Sequence, residues 1–289
     1  MGYELNKSIR ISELAEHLSF EWQGADILIK GVSSSENAKD SDVIFSKSIP
    51  ENIGNIAIVI SPFADIKANS TNGLIIAKNP RLEFINVLRY LEKVIGFSTW
   101  NFPSIIHPTV KLGKNVVVES GCVIDEYTVI EPNVVLHSGT RIGKNSRIRS
   151  CSSIGGDGFG FERMSDGVPL RFPHLGGVVI GDNVEIGALN SIARGTLSDT
   201  VISNNVKTDN LVHIAHNCFV QESVLITACA ELSGGVTLGK RAWIGPNVSI
   251  MQKIFVGDDA LVGLGAVVTK NIPSNTVFAG NPAKKIRDI

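Results

Sequence analysis

Aromatic side chains are scarce in this chain: 3 Trp, 3 Tyr and 12 Phe make up 6% of 289 residues. Large rings usually carry much of a broad core, so the 43% apolar content must be packed mainly as small and branched aliphatics. Net charge is −1, which excludes a general binder of nucleic-acid backbones, since that role needs a cationic surface. No run of eighteen apolar residues occurs, so no membrane-spanning helix is expected. The opening MGYELNKSIRIS has neither an apolar signal core nor the Ser or Thr of a myristoylation motif. These absences predict a soluble, cytoplasmic protein. There are only 4 cysteines, Cys122, Cys151, Cys218 and Cys229, and none forms a CxxC pair; Cys122 and Cys218, at inward positions where valine, threonine or alanine usually stand, read as small buried filler in a reducing compartment. His213, His216 and Asp209 lie close together, but HExxH and paired cysteine ligands are missing, so no metal site is expected.

What the chain has is a period. Between Thr208 and Gly245 nearly every sixth residue is a branched aliphatic: Ile214, Val220, Ile226, Leu232, Leu238 and Ile244. The fifth position of each hexad is small or β-branched: Val212, Cys218, Val224, Ala230, Val236 and Ala242. A period of six fits neither a helix nor an alternating strand. It is the mark of a parallel β-helix, in which short strands coil and stack. The same period begins at Ile106 and runs to Ile154. It resumes at Ile180, slips by four residues within ARGTLSDTV, and continues to Val268. The whole array amounts to about eight coils. The 28 glycines suit such tightly turning backbone.

Stacking predicts a site. Three hexads make one coil of eighteen residues, so Gly234 should lie beside His216, one strand spacing away at about 4.8 Å. The third position of the hexad faces outward near a corner. An imidazole beside a glycine whose backbone can be approached closely is a candidate base next to an oxyanion donor. The competing reading is a solvated corner histidine. His107 and His137 fall at position two without nearby partners in the sequence.

Residues 1–101 lack the hexad and read as a small α/β domain. Ser12 is a candidate cap for a short helix carrying Leu14, Ala15 and Leu18. Strand-like runs follow at Ile27–Val32, Val43–Phe45, Ile56–Ile60 and Gly73–Ile76. Asn79-Pro80 is a cap followed by a first-turn proline, opening a helix with Leu82, Ile85, Val87, Leu88, Leu91 and Val94 at helical spacing. Phe45 is either a stacking platform for a base or a core residue.

Residues 102–273 form the β-helix, interrupted by a loop at 155–177, GGDGFGFERMSDGVPLRFPHLGG, which carries Phe159, Phe161 and Phe172. A long loop interrupting a regular solenoid is usually functional; the alternative is packing on a neighbouring subunit. GGDGFG looks like a phosphate loop, but no helix follows, so a dinucleotide site is excluded. Residues 274–289 read as a short C-terminal tail in which Lys284, Lys285 and Arg287 are either solvated or a seat for phosphates.

The repeat resembles the hexapeptide acyltransferases, and almost the whole chain is similar to their UDP-3-O-acylglucosamine N-acyltransferase branch. The segments that carry the likeness are GVSSSENA at 31–38, AKNPRL at 77–82, GGDGFGF at 155–161, GGVVIGDNVEIGA at 176–188, and RGTLSDTVI with DNLVHIAHN at 194–217. The resemblance implies a left-handed coil, a homotrimer, and an N-terminal uridine-binding domain. It implies that the AHN histidine, His216, is the general base and that Gly234 N–H is the oxyanion donor. It places a uracil-stacking aromatic at Phe45, and a further family histidine falls at Lys253. It also implies a C-terminal helix that meets acyl carrier protein. The ending FAGNPAKKIR is instead like that of sugar acetyltransferases that use coenzyme A, and Ala228, Cys229 and Glu231 stand where the family has glycines.

The expectation is therefore an N-acyltransferase moving a short acyl group from acyl-coenzyme A to the amine of a dTDP- or UDP-linked amino sugar for surface polysaccharide such as O-antigen. No permanently bound cofactor is expected. Asp209 would orient His216 or bind the amine; Asn210, His213, Phe159 and Phe161 would contact substrate; Lys253, Lys284, Lys285 and Arg287 would meet coenzyme A. Two alternatives stand beside it: the lipid A enzyme using acyl carrier protein, and a non-catalytic β-helix that binds a nucleotide sugar.

Overall fold

A computed structural model describes residues 3–50, 54–62, 64 and 71–289. The chain divides into two compact units: Met1–Asn101 with Gly160–Leu175, and Phe102–Phe159 with Gly176–Ile289.

Among its described residues the first unit holds a six-stranded sheet. Its strands are β1 (Tyr3–Arg10), β2 (Glu21–Gly24), β3 (Leu28–Val32), β4 (Asp42–Ser46), β5 (Ala57–Ile60) and β6 (Gly73–Ile76), in the order β1-β3-β4-β5-β6-β2. The four central strands β3 to β6 pair in parallel, and β1 and β2 close the edges antiparallel. The four buried residues of β5, AIVI, show why its sequence does not alternate: both faces are covered. The two edge strands escape the sequence reading because each is largely exposed and polar.

Helix α1 (Ile11–Leu18) starts one residue before Ser12, so Ser12 is not its cap. Arg10 stands at the cap position, but its side chain makes no capping bond; its guanidinium donates instead to Asp26 O at 3.1 Å. Asp26 does the capping from a distant turn: its Oδ1 accepts from Ser12 N at 3.0 Å and its Oδ2 from Ser12 Oγ at 3.0 Å. Helix α2 (Pro80–Tyr90) begins as the sequence predicts, with Asn79 Oδ1 accepting from Leu82 N at 3.2 Å. A π-helical turn, Leu91–Ile95, follows it.

The inserted loop contributes to this first unit. Phe161–Arg163 and Pro169–Arg171 form an antiparallel hairpin. Phe172, 3% exposed, brings its ring to 6.4 Å from that of the fully buried Phe84 on α2. Arg81 on the same helix pairs with Glu162 at 2.8 Å. The central part of the insert is thus core to the N-terminal unit, which reassigns residues 160–175 relative to the sequence-based boundary.

The second unit is the solenoid. Its faces are parallel sheets of eight, eight and ten strands, the last enlarged by C-terminal segments. Each regular coil advances eighteen residues in register, as in Val129↔Arg147 and Leu225↔Trp243. The aliphatics of positions one and five fill the coil in one continuous core from Cys122 to Ile272. Cys122 and Cys218 are both fully buried there, as the filler reading requires. Corners fall repeatedly on asparagine with positive φ, including Asn115, Asn133, Asn145, Asn183, Asn205, Asn217 and Asn247. Asparagine enters the left-handed region more readily than most residues, which is why it recurs at the bends. Residues 274–289 are not a loose tail. Thr276–Ala279 extends one face in parallel, and Lys284–Asp288 returns antiparallel along it.

Candidate active site

His216 sits at the corner that follows the strand His213–Ile214. The corner one coil later belongs to Glu231–Leu232, which pairs with that strand in register. Gly234 therefore comes to lie over the histidine. A β-carbon built on Gly234 would stand 2.7 Å from both Cε1 and Nε2 of His216. The ring rests against the glycine backbone because no side chain intervenes. Gly235 N–H donates to His216 O at 2.9 Å, while Gly234 N–H has no backbone acceptor among the described residues.

The tautomer of His216 is set by a residue the sequence reading passed over. His216 Nδ1 is 2.9 Å from Asn217 Oδ1. The amide orientation is fixed from both ends: Oδ1 accepts from Thr196 N at 3.1 Å and Thr196 Oγ1 at 2.9 Å, and Nδ2 donates to Ser198 O at 3.1 Å and Ser198 Oγ at 2.9 Å. An oxygen facing Nδ1 requires that Nδ1 carry the proton. Nε2 then keeps its lone pair on the side of Gly234, the arrangement a general base needs. Thr196 and Ser198 belong to the four-residue slip. That irregularity was the available signal, since a break in a strict period is where backbone is diverted for a purpose.

Arg194 precedes His216 by one coil, because Ser191 and Ile192 pair with His213 and Ile214. Its guanidinium donates to Gly155 O at 2.6 Å and Ser138 O at 2.9 Å, pinning the start of the insert. Asp199 anchors the other end of the same region, accepting from Gly177 N at 2.8 Å and pairing with Arg141 at 2.5 Å. Next to His216, Cys218 is buried in the coil, and burial pushes its thiol up to about 12.

The other expected site residues are distributed as follows. Asp209 Oδ1 accepts from the adjacent Asn210 N at 2.7 Å; the partner at His216 Nδ1 is Asn217 rather than Asp209. Asn210 Oδ1 is engaged structurally, accepting from Ala188 N at 2.8 Å. His213 is exposed on its strand. Lys253 stacks on the same corner as the glycines: its N–H donates to Gly234 O at 2.9 Å, and Gly235 faces its Cγ. Lys284, Lys285 and Arg287 are exposed on the last strand, where Lys285 pairs with Asp288 at 2.6 Å. Phe159 lies in the solenoid unit and is 88% exposed. Phe161 lies in the N-terminal unit with the Arg171 guanidinium 4.8 Å from its ring centre. In that unit Phe45 is half-buried at the end of β4, its ring 5.1 Å from Phe84. Among the described residues no three His, Cys, Asp or Glu side chains gather to hold a metal ion, and no helix is long and apolar enough to cross a membrane.

Comparison with known proteins places the chain. The bacterial transferase hexapeptide model (six repeats) matches residues 103–138 and 122–156, and the hexapeptide repeat of succinyl-transferase matches 235–270. A UDP-3-O-acylglucosamine N-acyltransferase of Campylobacter lari is 31% identical over 303 aligned residues, spanning 97% of this chain and 95% of that protein. The chain belongs to the UDP-3-O-acylglucosamine N-acyltransferase family. It is accordingly an acyltransferase of the hexapeptide-repeat class. The family member of Hahella chejuensis is 40% identical over 156 residues, 54% of this chain and 44% of its own length. Among solved structures, LpxA from Acinetobacter baumannii matches with TM-score 0.58 at 24% identity, covering 63% of this chain and 69% of that one. The Arabidopsis UDP-N-acetylglucosamine acyltransferase matches with TM-score 0.51 at 20% identity, covering 64% and 72%. Both likenesses are of fold. The family name agrees with the lipid A alternative, and nothing in these relatives supports the expected dTDP sugar, coenzyme A donor or O-antigen role.

Proposed function

We propose that this protein transfers an acyl group from a thioester donor to the amine of a UDP-linked, 3-O-acylated glucosamine. Support for the acceptor comes from full-length similarity to UDP-3-O-acylglucosamine N-acyltransferases, N-terminal unit included. The observation that carries the chemistry is the Nε2 of His216 held against Gly234. In this reading the sugar amine attacks the thioester carbonyl while His216 Nε2 removes its proton. The C–S bond breaks as the tetrahedral intermediate collapses, and the thiol leaves with a proton returned by the imidazolium. Gly234 N–H donates to the oxyanion, an effect worth about 3 kcal/mol in comparable sites. Asn217 holds the ring in the Nδ1–H tautomer and is a positioning residue.

A second reading keeps the chemistry and changes the donor to a short acyl-coenzyme A. It is favoured by Lys253 on the Gly234–Gly235 corner and by the cationic side chains on Lys284–Asp288. One assay separates the two. Thiol release is followed with UDP-3-O-acylglucosamine and either hydroxyacyl carrier protein or acyl-coenzyme A as donor, beside His216→Ala. Turnover with the carrier protein supports the first reading, and turnover only with coenzyme A thioesters supports the second. In either case His216→Ala should lower kcat by about 10²–10⁴-fold. Full activity in that variant would remove His216 as the base.

A further inference from the structure

A second histidine is wired like an active-site base, and the acyl-transfer scheme does not use it. His137 follows the strand Val135–Leu136, in the coil after Glu119 and the coil before Gly155. Its Nδ1 is 3.0 Å from Glu119 Oε1, and its Nε2 is 3.2 Å from Ser153 Oγ. Ser153 reaches it because Val135 and Ser153 pair in register on adjacent coils. A carboxylate only accepts, so Nδ1 must donate and Nε2 of the neutral ring accepts from the serine hydroxyl. Glu119 is itself held in place: its Oε2 accepts from Ser138 N at 2.9 Å. Burial works to raise its carboxyl, but the Ser138 N–H, the His137 ring and Arg194 outweigh it and hold it below the ordinary range.

The surroundings are shaped for access. The strand Ser153–Gly156 shifts register between Ile154 and Gly156, and Gly155 takes φ +88. Bulges of this kind re-aim side chains beside sites. Gly156 borders the ring: a β-carbon there would stand 3.5 Å from His137 Nε2, an ordinary van der Waals contact. Ser153 and His137 are half-buried, so both are reachable from solvent. Arg194 ties Gly155 and Ser138 together on the two sides of the relay. Serine, histidine and carboxylate connected in this order are recognised by geometry rather than by sequence position.

We infer that Ser153, His137 and Glu119 form a second, nucleophilic site that hydrolyses small acyl esters or thioesters. His137 Nε2 takes the Ser153 proton as Oγ attacks the acyl carbonyl. The bond to the leaving alcohol or thiol breaks, and the leaving group receives that proton. Water then attacks the acyl-serine, giving its proton to His137. The ester C–O bond breaks, the acid departs and Ser153 Oγ regains its proton. The net change is ester plus water to acid plus alcohol or thiol, with no other reactant.

The test uses the full chain, a fluorophosphonate probe and p-nitrophenyl butyrate. Mass spectrometry should place the phosphonyl adduct on Ser153, and Ser153→Ala should abolish both adduct and hydrolysis. His137→Gln should slow both by about 10²-fold or more. Glu119→Gln should slow both less, and circular dichroism checks that each variant is folded. His216→Ala should leave the labelling unchanged, which keeps this activity separate from N-acyl transfer. No adduct on Ser153, or equal labelling of wild type and folded His137→Gln, overturns the inference and leaves the three residues as a ladder that braces successive coils.

Discussion

Gly234 covers the imidazole of His216 from the next coil, leaving no room for a β-carbon between them. The contact is with the ring, the mobile end of a side chain, and not with backbone. Gly234 is also not among the glycines with positive φ, so alanine meets no conformational barrier there. Gly234→Ala should therefore fold with little change in Tm and push the ring aside. Displacement of a reacting group by about an ångström costs roughly 10²-fold in rate, so kcat should fall by about that factor. Steady-state kinetics beside a melting curve checks this. A variant with wild-type kcat would mean that ring and glycine do not act together.

That relationship was legible in the sequence because it needs only the period. Once six residues make a side and three sides a coil, residue 234 must follow residue 216. The core was legible for the same reason, since Ile214, Leu232 and Ile250 occupy the same inward place in successive coils. Asn217 was not legible as the partner of His216. Its own partners, Thr196 and Ser198, sit in the slip, and no repeat dictates the path of an irregular segment. Nor was the role of the insert. Phe172 meets Phe84 across 88 residues of sequence, and a phenylalanine in a loop does not announce which unit it will complete. Ser12 failed as a cap for a similar reason: the carboxylate that does the work, Asp26, lies beyond the helix.

Asn217→Asp should change the pH dependence of the reaction. A carboxylate beside Nδ1 favours the charged imidazolium over the neutral ring. The reaction needs the neutral ring, so the acidic limb of kcat/KM should move to higher pH. The aspartate can no longer donate to Ser198, so some stability is lost as well, about 1–3 kcal/mol. A pH–rate profile superimposing on wild type would show that Asn217 does not set the state of His216.

The four thiols should divide into two classes. Cys122 and Cys218 are fully buried, and Cys151 and Cys229 are exposed. Burial raises both inner thiols, Cys218 to about 12, and the thiolate is the reacting form. A chromogenic disulfide at neutral pH should titrate two thiols in the folded protein and all four after denaturation. Early reaction of Cys218, located by peptide mapping, would contradict the packing of the coil next to His216.

Glu119 and Glu131 should govern acid stability. At Glu131 burial acts to raise the carboxyl, but Arg147, at 2.7 Å from Nε and 2.6 Å from the terminal nitrogen, and Ser150 hold it below the ordinary 4.5. Glu119 is likewise lowered. A group whose folded pKa is depressed contributes stability above its unfolded value and loses it as pH falls through the folded one. Tm should therefore hold from about pH 7 to about pH 5 and decline below that. The decline should be shallower in Glu119→Gln/Glu131→Gln than in wild type. Parallel curves would assign the acid sensitivity to other carboxylates.

Gly195 offers the counterpart to Gly234, because here the obstacle is backbone. A β-carbon at 195 would stand 1.6 Å from Ser198 O and 2.9 Å from Asn217 Nδ2. A carbonyl of the chain cannot swing away as a ring can, so the slip itself must shift. Forced repacking of this kind costs about 1–3 kcal/mol, and each kcal/mol lowers Tm by about 2–4 °C in a domain of this size. The same shift withdraws Ser198 from Asn217 and so loosens His216. Gly195→Ala should consequently lose stability and kcat together, whereas Gly234→Ala loses kcat alone. The contrast separates a glycine that frames the base from one that faces it. Equal Tm values for the two variants would show that the slip yields more easily than its contacts imply.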